Sequence, residues 1–202
     1  MRLPRTLLAA SLLLGGCRDP FPRQPGPALR FYEQGTQQTF YDPSGRLLRR
    51  LTDVDADGVA ERVELFHPDR RVWRLEADLD GDGRIDHWEV YRPDGELEKV
   101  GRSRAADGRP DLWLVPDGRG GLSRREVDED GDGRIDRVEH LEGRALVRVS
   151  LDGDGDGRFD RWQSWESFRL TAERFDVDGD GAPDRQLRFD RSGSVVAVEP
   201  YP

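Results

Sequence analysis

Short runs in which apolar and polar residues alternate recur along the chain. Apolar residues occupy every second position in 73–77 and in 145–151. A period of two is typical of a half-buried β-strand. Clusters of Pro, Asp and Gly, such as residues 92–95, separate these runs and mark tight turns. The pattern predicts an all-β meander of about a dozen short antiparallel strands.

A repeat of 24 to 25 residues organises these predicted strands. Acidic clusters begin at Asp53, Asp78, Asp128, Asp152 and Asp176, and a degenerate cluster at Ser103 falls in register. A turn signal follows about fifteen residues into each unit, so a unit reads as acidic loop, strand, turn, strand. The predicted β-repeat domain spans 28–202, with units that start near 28, 53, 78, 103, 128, 152 and 176.

Large apolar residues occupy two positions of the repeat that point to opposite faces of a strand. Trp88, Trp113 and Trp162 stand at the eleventh position, whereas Phe66, Tyr91, Leu141, Trp165 and Phe189 stand at the fourteenth. A single flat sheet would leave one aromatic face in water. We therefore expect a strongly twisted, rolled or propeller-like meander, and the sequence does not choose among these forms.

The composition indicates that an ordinary hydrophobic core does not hold the chain together alone. Of its 202 residues, 36% are charged and 35% are hydrophobic, and the formal net charge is −9. The acidic balance argues against binding to nucleic acid or anionic membranes and favours cations as counter-charges. The single cysteine, Cys17, excludes an intramolecular disulfide and a cysteine-cluster metal site. Oxygen ligands therefore remain as the candidates for binding a cation.

The acidic loops have the pattern of a calcium site. Aspartates at the first, third and fifth positions, a Gly at the sixth and an acid at the ninth can converge on one hard cation if the backbone coils around it. The candidate ligands are Asp53, Asp55, Asp57, Glu61, Asp78, Asp80, Asp82, Asp86, Asp128, Asp130, Asp132, Asp136, Asp152, Asp154, Asp156, Asp160, Asp176, Asp178, Asp180 and Asp184. Glu64, Glu89 and Glu139, at the twelfth position, are less regular candidates.

We predict about five bound Ca²⁺ ions, one for each complete loop. The degenerate loop at 103–111 keeps only Asp107 and Asp111 as acids, so we expect no ion there. Mg²⁺ is disfavoured because it prefers few carboxylates and several waters. The alternative interpretation is an acidic, Gly-rich solvated linker. The regular spacing of the five clusters argues against it.

The loops resemble known calcium-binding families. Residues 78–89 and 128–139 match the whole twelve-residue EF-hand loop, and 53–64 comes close. The repeat is too short for two flanking helices, so the loops are more similar to the Asp-x-Asp-x-Asp-Gly-x-x-Asp sites of thrombospondin type 3 repeats and of the FG-GAP blades of integrin α chains. The resemblance implies structural calcium in irregular or β structure, more than sensing.

The N-terminal residues have the features of an export signal. Two arginines precede an apolar run at 7–14, and small residues precede Cys17. The ending Leu14-Gly15-Gly16-Cys17 resembles the lipobox of bacterial lipoproteins, which implies cleavage after residue 16 and acylation of Cys17. The Pro-rich residues 17–27 then form a tether, and Arg18 favours outer-membrane delivery. The alternative is a soluble secreted protein with a stray thiol.

No catalytic arrangement stands out, so we expect a protein that is not an enzyme. His67, His87 and His140 share no spacing with a nucleophile. The five tryptophans of the chain are predicted to pack between repeats, although they also offer surfaces for stacking on glycan rings. The first functional prediction is a membrane-anchored structural or interaction module. The second is a calcium-responsive sensor, or a surface module that binds a glycan or protein.

Overall fold

The computed structural model describes residues 30–201, and within that range it contains fifteen β-strands and no helix. The strands are β1 (Arg30–Gln34), β2 (Gln37–Tyr41), β3 (Leu47–Thr52), β4 (Arg62–Phe66), β5 (Val72–Ala77), β6 (His87–Tyr91), β7 (Leu97–Arg102), β8 (Leu112–Pro116), β9 (Leu122–Val127), β10 (Arg137–Glu142), β11 (Ala145–Leu151), β12 (Arg161–Glu166), β13 (Arg169–Phe175), β14 (Arg185–Phe189) and β15 (Val195–Pro200). The signal peptide and the whole tether predicted at 17–27, including Cys17, lie outside the described residues.

All fifteen strands belong to one open sheet whose spatial order follows the chain from β1 to β15. Each strand pairs antiparallel with its sequence neighbours, as in β4 with β5 and β5 with β6. The predicted all-β antiparallel meander of hairpins is confirmed, and the sheet is open with β1 and β15 as its edges. The dozen predicted strands correspond to β4–β15, and three more precede the first acidic loop.

The sheet is a single layer. Within residues 30–201 each strand contacts only the strands before and after it in the chain, so no other element covers either face. Stability in such an array is approximately a sum of nearest-neighbour terms. The loops that join neighbouring strands therefore matter more here than in a two-layer domain.

The two ends of the strands carry different connections. Tight turns such as residues 67–71 close the hairpins at one end, and the acidic loops join successive hairpins at the other. In the turn-closed hairpins from β2–β3 to β14–β15, the register shifts close to the turn, for example between Leu65 and Phe66. Bulges of this kind increase the local twist of a sheet.

Side chains within the layer cover one another. Trp88 is only 3% exposed, and the indole of Trp113 lies over Gly101, where a Cβ atom would come within 2.9 Å of the ring. The ammonium group of Lys99 stands 4.2 Å from the centroid of the Trp113 ring. The long stems of charged residues thus shield apolar surface, which explains how aromatic residues on both faces are accommodated without a second layer.

Candidate metal centres

The five complete acidic loops lie side by side along one end of the sheet. Each connects an odd-numbered strand to the following even-numbered strand, so neighbouring loops are two strands apart. Strands in a sheet are separated by about 4.8 Å, which spaces adjacent loops by roughly 9.6 Å. The degenerate loop at 103–111, the third of the six loops in this row, separates two complete loops on one side from three on the other.

Carboxylates from the first, third and ninth positions converge in every complete loop. One oxygen from each residue lies within 4.8 Å of the corresponding oxygens of the others. The groups are Asp53, Asp55, Asp57 and Glu61; Asp78, Asp80 and Asp86; Asp128, Asp130 and Asp136; Asp152, Asp154 and Asp160; and Asp176, Asp178 and Asp184. The fifth-position residue joins its group only in the first loop, while Asp82, Asp132, Asp156 and Asp180 lie outside these groups.

Backbone N–H groups hold the first carboxylate of each loop in place. Asp128 Oδ1 accepts a hydrogen bond of 2.7 Å from the Gly131 N–H, and its Oδ2 accepts one of 2.9 Å from the Gly133 N–H. Gly133 has a φ angle of 92°, which a residue with a Cβ adopts only with strain. The sixth-position glycine thus provides the sharp turn expected from the sequence, and also a donor to the first aspartate.

The ninth-position acid closes the loop from the other side. Asp136 accepts hydrogen bonds from the N–H groups of Glu129, at 2.6 Å, and Asp130, at 3.3 Å. Its backbone carbonyl accepts a hydrogen bond of 2.7 Å from the N–H of Asp152, the first residue of the next complete loop. Equivalent backbone bonds join each loop to the next along the whole row. Adjacent sites are therefore linked directly through the main chain.

The loops concentrate negative charge that a cation would neutralise. Burial raises the pKa of Asp78, but the backbone N–H groups of Gly81 and Gly83 more than offset this and leave the pKa below its usual range. The same balance lowers the pKa of Asp176. The carboxylates of Asp78 and Asp176 are therefore ionised at neutral pH. Each like-charge pair at such distances costs about 1 kcal/mol even with the dielectric constant of water.

The three twelfth-position glutamates lie on strands, away from the carboxylate groups. Each pairs with the residue two positions earlier: Glu64 with Arg62, Glu89 with His87, and Glu139 with Arg137. Glu139 is 6% exposed and also binds Arg125 at 2.9 Å. Burial raises the pKa of Glu89, but hydrogen bonds from Tyr91 and His87 lower it below its usual range. Glu64 and Glu139 thus neutralise arginines on the sheet face, and Glu89 forms a hydrogen bond with a histidine there.

The histidines are scattered over the sheet, as expected. The ring of His67 lies 6.4 Å from that of Trp73, and the imidazole of His87 is 3.0 Å from Glu89. Burial, together with the nearby Arg148 and Arg124, lowers the pKa of His140. The three residues lie on separate hairpins and form no common group with one another.

No protein-family model matches the chain, and no curated protein matches it in sequence. Among solved structures, a mutant of S. aureus TarM in complex with fondaparinux, alpha-GlcNAc-glycerol and UDP aligns with 59% of this chain at 9% identity and a TM-score of 0.28. The aligned region spans only 21% of the TarM chain. A similarity this low carries no argument about the fold or the function.

Proposed function

We propose that the protein is a calcium-binding, membrane-anchored bacterial lipoprotein whose β-sheet is a non-enzymatic structural or interaction module stiffened by about five Ca²⁺ ions. The observation that carries this proposal is the recurrence of three converging carboxylates in five loops at one end of the strands. One such group is common on protein surfaces. Five in the same register, each turned by a positive-φ glycine, favour a dedicated function.

The donor set favours Ca²⁺ over other ions. It consists of oxygen atoms, which hard cations prefer, and each group holds at least three carboxylates. Mg²⁺ usually keeps several waters and takes one or two carboxylates, so it suits these loops less well. The first, third and ninth residues would hold the ion, and a bound Ca²⁺ would supply positive charge that draws the loop together.

The position of the loops supports a structural function. Each complete loop joins two hairpins of a one-layer sheet, so an ion there would hold consecutive hairpins in register. Few side chains are buried in this sheet. Calcium would then contribute stability that a second layer of secondary structure supplies in other domains.

The leader sequence supports anchoring through Cys17 in the cell envelope, at the outer membrane or the cell surface. Within residues 30–201 no helix is long and apolar enough to cross a bilayer. Metabolic labelling with a fatty acid, followed by fractionation of cells that express the parent or Cys17→Ser, tests the anchor. We expect label and membrane association in the parent only, and an equally membrane-bound Cys17→Ser protein would contradict lipidation.

Isothermal calorimetry of the unacylated mature chain with Ca²⁺ and Mg²⁺ tests the calcium function. We expect calcium to bind with dissociation constants of about 10⁻⁴–10⁻³ M, the range of extracellular modules, and magnesium to bind more weakly. Dissociation constants near 10⁻⁶ M would instead indicate a sensor. Absence of calcium binding at millimolar concentrations would refute the proposal.

A further inference from the structure

The third loop, at 103–111, has the backbone of a calcium loop without its carboxylates. Its fourth and sixth residues, Ala106 and Gly108, have φ angles of 52° and 83°, close to those of the complete loops. The N–H of Ser103 donates to the carbonyl of Asp86, and the carbonyl of Asp111 accepts from the N–H of Asp128, both at 3.1 Å. This loop therefore continues the main-chain links along the row.

An arginine of the loop itself supplies the positive charge. Arg104 Nε lies 3.0 Å from Oδ1 of Asp111, the ninth-position acid that belongs to the carboxylate group in the complete loops. The N–H groups of Arg104 and Ala105 also donate to Asp111, at 3.0 Å each. At the opposite side of the loop, Ser103 Oγ is 3.2 Å from Asp107 Oδ1. A guanidinium thus contacts the carboxylate that an ion would contact elsewhere.

The charge of the third loop also differs from that of the others. Two acids and two arginines give residues 103–111 a net charge of zero. The complete loops carry −4 at 53–61, −3 at 78–86, −4 at 128–136, −3 at 152–160 and −4 at 176–184. Without metal, the complete loops bring like charges together, whereas the third loop contains its own counter-ions.

The neutral loop lies within a block of four strands that contains no complete acidic loop. Tight turns join β6 to β7 and β8 to β9, and the third loop joins β7 to β8, so residues 87–127 contain no complete acidic loop. This block includes the buried Trp88 and Val127, as well as Trp113 packed over Gly101. After β9, each hairpin is bounded by a complete loop. A lone hairpin is marginally stable in water, whereas three or more packed strands can be stable.

We propose that β6–β9 form a metal-independent core of the sheet, in which the Arg104 guanidinium supplies the positive charge that a calcium ion would supply in the complete loops. Calcium then extends the ordered sheet from this core in both directions. The inference rests on the proposed function, because it assigns calcium to the flanking loops. Strands β1–β3 also precede the first complete loop, but β1 is exposed along its whole length and offers little packing. The central block is the better-packed of the two.

Hydrogen exchange of the full unacylated chain, measured by mass spectrometry in millimolar Ca²⁺ and in EDTA, tests this inference. The matched segments are 97–116 and 145–166, each of which contains two strands and the loop between them. In Ca²⁺ we expect both segments to be protected. In EDTA we expect exchange in 97–116 to be at least ~10-fold slower than in 145–166, because local opening follows local stability.

Arg104→Ala should reduce this difference several-fold in EDTA, while Arg109→Ala should preserve it. Arg109 is the matched control because it carries the same charge in the same loop but contributes its backbone N–H to Asp107. Protection of 145–166 in Ca²⁺ verifies that both variants fold. If calorimetry detects calcium but EDTA deprotects 97–116 as much as 145–166, or if the two variants behave alike, this inference alone is wrong. If calcium does not bind, the proposed function is wrong as well.

Discussion

Replacing one cluster carboxylate should stabilise the protein without calcium, and calcium should then stabilise the variant much less than it stabilises the parent. Asp130 is the clearest position, because its oxygen lies within 4.8 Å of those of Asp128 and Asp136. Its side chain accepts one hydrogen bond within the loop, at Oδ1 from the N–H of Asp132, at 2.9 Å. The amide oxygen of an asparagine can retain that bond, so Asp130→Asn removes charge and a metal ligand with little other change.

The expected magnitudes follow from the geometry. Without metal, the substitution removes two like-charge pairs, each of about 1 kcal/mol, and should raise the free energy of unfolding by up to ~2 kcal/mol. At a calcium concentration of about 100 times the dissociation constant, an ion contributes about 2.7 kcal/mol to the parent, and a roughly 100-fold weaker site retains only about 0.4 kcal/mol. The variant should therefore lose ~2.3 kcal/mol of calcium stabilisation, which offsets the gain from charge removal and leaves its stability in calcium close to that of the parent.

Denaturant unfolding in EDTA and in saturating Ca²⁺, followed by tryptophan fluorescence, measures both effects. Glu129→Gln is the matched control, since Glu129 neighbours Asp130, carries the same charge, lies outside the carboxylate group and makes a solvent-exposed pair with Arg137 at 3.4 Å. We expect the control to change stability by less than ~0.5 kcal/mol in either condition. Equal destabilisation of Asp130→Asn with and without calcium, or behaviour like that of the control, would refute the reasoning.

Three further substitutions test other parts of the structure. Glu139→Gln should destabilise the protein by ~1–2 kcal/mol equally in Ca²⁺ and EDTA, because Glu139 binds Arg125 and Arg137 on the sheet face; a loss of calcium affinity in calorimetry would instead make it a ligand. Gly101→Ala should cost roughly 1–3 kcal/mol in thermal melts and shift the tryptophan emission, because the new Cβ would meet Trp113 at 2.9 Å; an unchanged melt would show that Trp113 is not packed there. The turn residue Asp190 has its pKa lowered by hydrogen bonds from Ser192 and Ser194. Its stabilising contribution is therefore present above the ordinary value of 3.8 and is lost as the pH falls through the lower folded-state pKa. The difference in melting temperature between the parent and Asp190→Asn should therefore shrink as the pH falls through this range. A difference that grows on acidification would contradict the lowered pKa of Asp190.

The architecture was predictable from the sequence because the repeat combines two strong local signals. Alternating residues define the strands, and the glycine-containing loops and turns define where they reverse, so the meander follows from neighbours in the chain. The openness of the sheet was not predictable. It depends on how side chains cover one another across strands, as Lys99 and Gly101 do around Trp113, and the sequence pattern does not encode those contacts directly.

The site was predictable at the level of loops but not of every side chain. The first, third and ninth acids converge as the spacing predicts. The twelfth position matches the EF-hand pattern for another reason: in these strands a basic side chain stands two residues before each glutamate and pairs with it, as Arg137 does with Glu139. The contact between Arg104 and Asp111 was also missed, although the arginine beside a loop poor in acids was a visible signal.

Counting the calcium ions bound to the intact protein tests the central claim most directly. Native mass spectrometry of the unacylated mature chain, titrated with Ca²⁺ up to saturation, resolves each added ion by its mass. The five carboxylate groups predict that occupancy increases to five ions and stops there, since the loop at 103–111 contains its own cation. Saturation at one ion, or no bound calcium at millimolar concentrations, would contradict the account.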